Sequence, residues 1–130
     1  MPATNPAPIL TVIHPSEPEC KSYLIDTNIS NVLKQLGVRP KCSGFKYLKD
    51  AIKLCYESED DYYSLITKRL YPEIAVRYRV KSSAVERAIR YVISDMYCTD
   101  QAKCQIIGYA TDSYTNKEFI SSVTEYLKHL

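Results

Sequence analysis

The sequence predicts an all-α domain, and three observations carry that prediction. Apolar side chains recur at the three-and-four spacing of amphipathic helices from residue 25 onward. Alternation of period two does not persist over any useful length, so no strand is expected. Only three glycines occur in 130 residues. The length suits one domain, and a composition of 45% hydrophobic and 25% charged residues is that of a globular chain. No apolar run approaches the roughly 20 residues that span a bilayer, which excludes a transmembrane role.

The elements follow in order. Five of the seven prolines (Pro2, Pro6, Pro8, Pro15, Pro18) fall in the first 18 residues, so residues 1–24 are expected to form an extended, proline-rich tail. There is no basic start followed by an apolar stretch, hence no signal peptide is expected. Residues 25–130 form the domain. Ile29, Val32, Leu33 and Leu36 make one helical stripe, with Gly37 as its stop and Pro40 beyond. Phe45, Leu48, Ala51, Ile52, Cys55 and Tyr56 make a second, opened by Ser43-Gly44 and ended by the polar run 57–61. Pro72 suits the first turn of a short helix reaching about Tyr78. Ser82 or Ser83 can cap a longer helix with the stripe Val85, Ala88, Ile89, Val92, Ile93, Met96 and Tyr97. At the C-terminus Thr115-Asn116-Lys117-Glu118 reads as a capping box, followed by Phe119, Ile120, Val123, Tyr126, Leu127 and Leu130.

Five cysteines, with no C-x-x-C pair, fit neither a disulfide scaffold nor a zinc site. They are read as reduced small hydrophobes, with Cys55 and Cys98 at helix positions. His14 and His129 lie near the termini, outside any catalytic constellation, and no glycine-rich phosphate loop is present. The acidic run 57–61 lacks the alternation and glycine of a calcium loop. No enzyme activity, metal or cofactor is expected.

A short helix, a tight turn and a longer helix with a basic outer face make residues 72–97 a helix-turn-helix candidate. Ala75 beside Ile74 allows a close crossing, Val80 can plug the turn, and Val85 anchors the second helix. The place in the turn where Gly or Asn adopts a positive φ cheaply is held by Arg79. Charge is segregated to match. Residues 64–93 carry seven cations against Glu73 and Glu86, a balance of +5. The whole chain carries +2, leaving −3 on the other 100 residues. Basic charge concentrated on such a unit is what phosphate contact requires.

The chain from Ile25 onward resembles the DNA-binding effector domain of the stage-zero sporulation master regulator of endospore-forming bacteria. The resemblance is carried by Gly44-Phe45-Lys46-Tyr47-Leu48 with Ala51-Ile52, and by Ile66-Thr67-Lys68 with Leu70-Tyr71-Pro72-Glu73-Ile74-Ala75. Val85-Glu86-Arg87-Ala88-Ile89-Arg90, Ile107-Gly108-Tyr109 and Glu118-Phe119-Ile120 complete the series. It implies a six-helix, bundle-like all-α domain containing a helix-turn-helix. Such a domain binds short double-stranded DNA boxes, often as a homodimer on tandem sites, and activates or represses transcription in the bacterial cytoplasm, at the nucleoid when bound. Two departures accompany it. Full-length regulators carry a phosphorylatable receiver domain, where this chain has its proline-rich segment. An arginine that reads guanine usually precedes the Val-Glu-Arg triplet, where this chain has Ala84.

For DNA the second helix of the motif is expected in the major groove. Glu86, acceptor-only when ionised, can take a hydrogen bond from a cytosine amino group, and Arg87 can reach a base edge. Lys81, Ser82, Ser83 and Arg90 are assigned to the DNA backbone, with Lys68 and Arg69 as further phosphate candidates. A salt bridge from Glu86 to Arg90 is the competing role for that carboxylate in the free protein. Residues 104–109 align with the family region that touches RNA polymerase, implying a sigma-subunit contact at Ile107 and Tyr109; the plainer reading is a short core helix ending at Gly108. The alternative function is an interaction module, a receiver-less paralogue that pairs or competes with a full regulator without activating transcription.

Overall fold

The computed structural model describes residues 18–58 and 65–130. Six α-helices follow one another in this part of the chain: α1 Pro18–Gln35, α2 Ser43–Glu57, α3 Tyr71–Tyr78, α4 Ser82–Asp95, α5 Asp100–Ile106 and α6 Asn116–Lys128. A π-helical turn, Ile66–Leu70, leads directly into α3. No strand occurs among the described residues, as the missing period-two alternation predicts. None of these helices is long and apolar enough to cross a membrane.

The expected extended tail is corrected at its inner end. Residues 18–24 are helical, and α1 starts on Pro18 itself. A proline at a helix start lacks only an amide that would have had no intrahelical partner, so Pro18 opens the helix instead of forbidding it. Residues 1–17 lie outside the described residues, as do 59–64 of the acidic segment.

α1 ends as its stripe predicts. Gly37 adopts φ +79°, its amide donates to Lys34 O at 3.0 Å, and the Val38 amide reaches back to Leu33 O at 2.9 Å. This is a Schellman cap, closed by the apolar contact partners Leu33 and Val38, both buried. A Cβ on Gly37 would meet the Tyr97 carbonyl oxygen at 2.0 Å, so the loop after α4 packs tightly onto this turn.

α2 is the central helix, packed against α1, α3, α4 and α6. It buries Phe45, Tyr47, Leu48, Ala51, Ile52 and Cys55. Gly44, in its first turn, permits the closest approach: an added Cβ would sit 2.2 Å from the Ala88 carbonyl oxygen of α4. α6 begins with the capping box the sequence predicts. The Glu118 amide donates to Thr115 Oγ1 at 3.1 Å, and the Thr115 amide donates to Glu118 Oε1 at 2.9 Å. Its face of Phe119, Ile120, Val123 and Leu127 closes the core, whereas Leu130 is 71% exposed beyond the last turn. Of the four cysteines described, all free thiols, only Cys55 is a buried hydrophobe. Cys98 lies in the segment between α4 and α5, not in a helix, and Cys104 is exposed.

Candidate nucleic-acid interface

The helix-turn-helix comprises α3, the turn Arg79–Lys81 and α4. Pro72 occupies the first turn of α3 as expected, but the chain before it is not a loop. In the π-helical turn the Leu70 amide reaches Leu65 O and the Tyr71 amide reaches Ile66 O. A proline has no amide for the carbonyl four residues back and its ring crowds that carbonyl; the widened turn accommodates both effects.

Ile74, Ala75 and Val85 are buried where the two helices cross, the small Ala75 letting α4 come close. The turn is a second Schellman cap: the Arg79 amide donates to Val76 O at 3.3 Å and the Val80 amide to Ala75 O at 3.0 Å. Arg79 takes the left-handed conformation, φ 57° and ψ 46°. Two details depart from the sequence reading. Val80 is 36% exposed, so it covers the turn from outside and does not plug it. The N-cap of α4 is Lys81, with no side-chain capping bond, and Ser82 and Ser83 lie inside the first turn. α4 also stops at Asp95, leaving Met96 half-buried and Tyr97 92% exposed.

A cluster on α2 fixes the motif to the core. The Tyr78 hydroxyl donates to Asp50 Oδ2, and Arg77 pairs with the same oxygen at 3.3 Å. Tyr78 stacks at a tilt on Tyr47, centroids 5.1 Å apart, with the Lys46 ammonium 5.0 Å from the Tyr78 centroid. Burial first, then the Asp50 carboxylate, pushes the Tyr78 hydroxyl up to about 12, so it stays protonated and donating. From the other side, Asn116 at the start of α6 donates to Tyr71 Oη at 2.9 Å and to the Glu86 carbonyl at 3.2 Å. Its own Oδ1 is buried and unpartnered at the base of a cleft of about 610 Å³ between α4 and the segment entering α6. No periodicity marks Asn116; the capping box fixes its place at a helix start, but not its inward turn.

α4 buries Val85, Ile89, Val92 and Ile93 and turns Ser83, Ala84, Arg87, Arg90 and Tyr91 outward. Glu86 is intermediate in exposure, and its carboxylate is paired with Arg90 at 3.0 Å, the competing role named from the sequence. Arg87 is exposed beside Ala84 and the start of α2, where a groove of about 580 Å³ runs along Gly44, Ala88 and Tyr91. Lys81 and Lys68 are exposed, as is Arg69, which does have an interaction partner. Ile107 is 7% exposed and belongs to the core, so its side chain has no surface to offer a polymerase. The short, mostly polar α5 ends before positive-φ Gly108 and turns only Ile106 and its C-cap Ile107 into the core. Tyr109 remains at the surface, 42% exposed, its carbonyl accepting the Tyr114 hydroxyl at 2.6 Å.

These features of a basic two-helix unit seated on an α-helical core agree with a match along the chain. The family model described as "Sporulation initiation factor Spo0A C terminal" covers residues 29–127, and the chain belongs to this family of DNA-binding sporulation-initiation domains.

Proposed function

We propose that the protein regulates transcription by reading short double-stranded DNA boxes through the major groove, with α4 as the recognition helix. The observation that carries this is the outward face of α4. It presents Arg87 and Arg90 beside the exposed Ser83, on a helix held by buried contacts to α2, α3 and α6. Arg87 reads a base edge. Glu86 leaves its pair with Arg90 and accepts from a cytosine amino group, which frees Arg90 for phosphate. Lys81, Ser82 and Ser83 at the start of α4, with Lys68 and Arg69 before α3, hold the backbone. Homodimers on tandem boxes, a sigma-subunit contact through Tyr109 and a cytoplasmic, nucleoid-bound location complete the proposal.

The test is selection of bound duplexes from a random pool, followed by titration of Glu86→Ala against boxes varied base by base. A lost cytosine preference at one position supports the assignment, and unchanged preference at every position refutes it. Ala84 favours a second reading. An exposed methyl group stands where an arginine would read guanine, a contact worth about 1–3 kcal/mol of discrimination. A domain with weakened readout would act as an interaction module or competitor, occupying boxes or pairing with a full regulator without activating. Footprinting followed by transcription in vitro separates the two, through binding with output or binding without it.

A further inference from the structure

We infer that Arg79 is a phosphodiester-binding residue of the interface, placed there by a turn that an arginine occupies only at a conformational cost. The inference rests on the DNA-binding reading above. Three described residues have positive φ, and the other two are glycines, Gly37 and Gly108. The cap at Gly37 and the cap at Arg79 use the same pair of backbone bonds, so the geometry itself asks for a residue without a Cβ clash. In the left-handed region an L-side chain crowds the neighbouring carbonyl, and arginine has no short polar group with which to relieve it locally.

Beyond the two backbone bonds of the cap, no side-chain contact among the described residues offsets that strain. Arg79 is exposed, and no carboxylate among the described residues pairs with it. Its neighbours behave otherwise: Arg77 is held by Asp50 and Arg90 by Glu86. The uncommitted cation stands between the end of α3 and the start of α4. Lys81, also exposed, is the N-cap residue there, and the first amides of α4 have no side-chain cap. When α4 enters a major groove, this corner is the part of the motif that passes along the phosphate backbone. A guanidinium there offers a planar fork that matches a phosphate's oxygens. The role is anchoring, not base reading, so it acts alike on every sequence.

Binding of a fluorescein-labelled random-sequence duplex, measured by anisotropy over a salt series, tests this in four proteins. They are wild type, Arg79→Asn, Arg79→Lys and Lys34→Gln, the last removing an exposed charge from α1, a helix packed mainly on α2 and α6. Asn tolerates the left-handed conformation, so Arg79→Asn is expected to unfold at or above the wild-type temperature. Its affinity is expected to fall by about three- to tenfold at low salt. The slope of log K against log salt should shrink by about 0.9, the release from one phosphate. Arg79→Lys keeps the slope, and so does Lys34→Gln. An Arg79→Asn slope equal to wild type overturns the assignment, as does an equal loss in Lys34→Gln. Wild-type protein without salt-dependent binding would instead overturn the DNA-binding reading itself.

Discussion

Replacing Gly44 by alanine tests the packing that sets the recognition helix in place. The new Cβ would lie 2.2 Å from the Ala88 carbonyl oxygen and 2.8 Å from Val92 Cγ1, against an ordinary contact of 3.4–4 Å. The nearest atom is backbone, so no rotamer change relieves it, and α2 and α4 must part by roughly 1 Å, loosening close-packed neighbours. Overpacking costs about 1–3 kcal/mol, and a backbone-limited site belongs at the upper end. Alanine's better helix propensity returns at most about 1 kcal/mol. A net loss of about 2 kcal/mol is expected, which lowers the melting temperature of a domain this size by roughly 8–16 °C. Thermal unfolding followed by circular dichroism measures it. Gly108→Ala is the comparison: no atom lies within 4 Å of its Cβ position, so only the strain at φ +108° acts, costing about 1 kcal/mol. A Gly44→Ala protein as stable as wild type, or more so, would refute the close crossing of α2 and α4.

Further outcomes follow from the groups that seat the motif. Asp50→Ala removes the carboxylate that accepts from Tyr78 and Arg77, and should cost about 2 kcal/mol in urea titrations. A double-mutant cycle with Tyr78→Phe should show coupling between the two changes; strict additivity would deny the contact. Because the Tyr78 hydroxyl is raised to about 12 in the folded protein, its contribution is full below the ordinary tyrosine value of 10 and is lost as pH rises through 12. Burial also raises Tyr71, Tyr109 and Tyr114, so tyrosinate absorbance should show several late-titrating groups, of which one is lost in Tyr78→Phe. Thr115→Ala should cost about 1 kcal/mol by breaking the cap of α6. The Thr115 amide, then its hydroxyl, hold the Glu118 carboxyl below 4.5, so the stability this group adds is present above that pH and lost as pH falls through its lower folded value. A Glu118→Gln protein with an unaltered acid limb would contradict that linkage.

The helices were legible in the sequence wherever one face repeats an apolar pattern: the stripes of α1, α2, α4 and α6 and the capping box at Thr115 are all observed. The ends were less so. Tyr97 continues the spacing of α4 in sequence, yet α4 ends at Asp95 and the next residues turn back to pack their backbone on Gly37. The start of α1 was obscured because proline signals both a broken helix and a helix's first turn, and only tertiary context separates the two. At the interface, spacing and charge pointed to Arg87 and Arg90, and the left-handed place of Arg79 was readable from the turn. For Ile107 the plainer reading, a short core helix ending at Gly108, agrees with its burial, whereas the polymerase contact implied by the family alignment carried no information on burial. The inward role of Asn116 depends on Tyr71, 45 residues away, a juxtaposition no local pattern encodes.

That separation bears on how the domain comes to be assembled. α3 and α4 are neighbours in sequence, so their pairing needs only a short loop to close and can form early. The bonds from Asn116 to Tyr71 and to the Glu86 carbonyl close loops of 45 and 30 residues, and they wait for α6 to dock. The helix pair thus exists before its orientation is set, and the last step of folding is also the step that makes the surface rigid. Pulse-labelled hydrogen exchange during refolding should find the amides of α4 protected in two stages, the later one in step with α6.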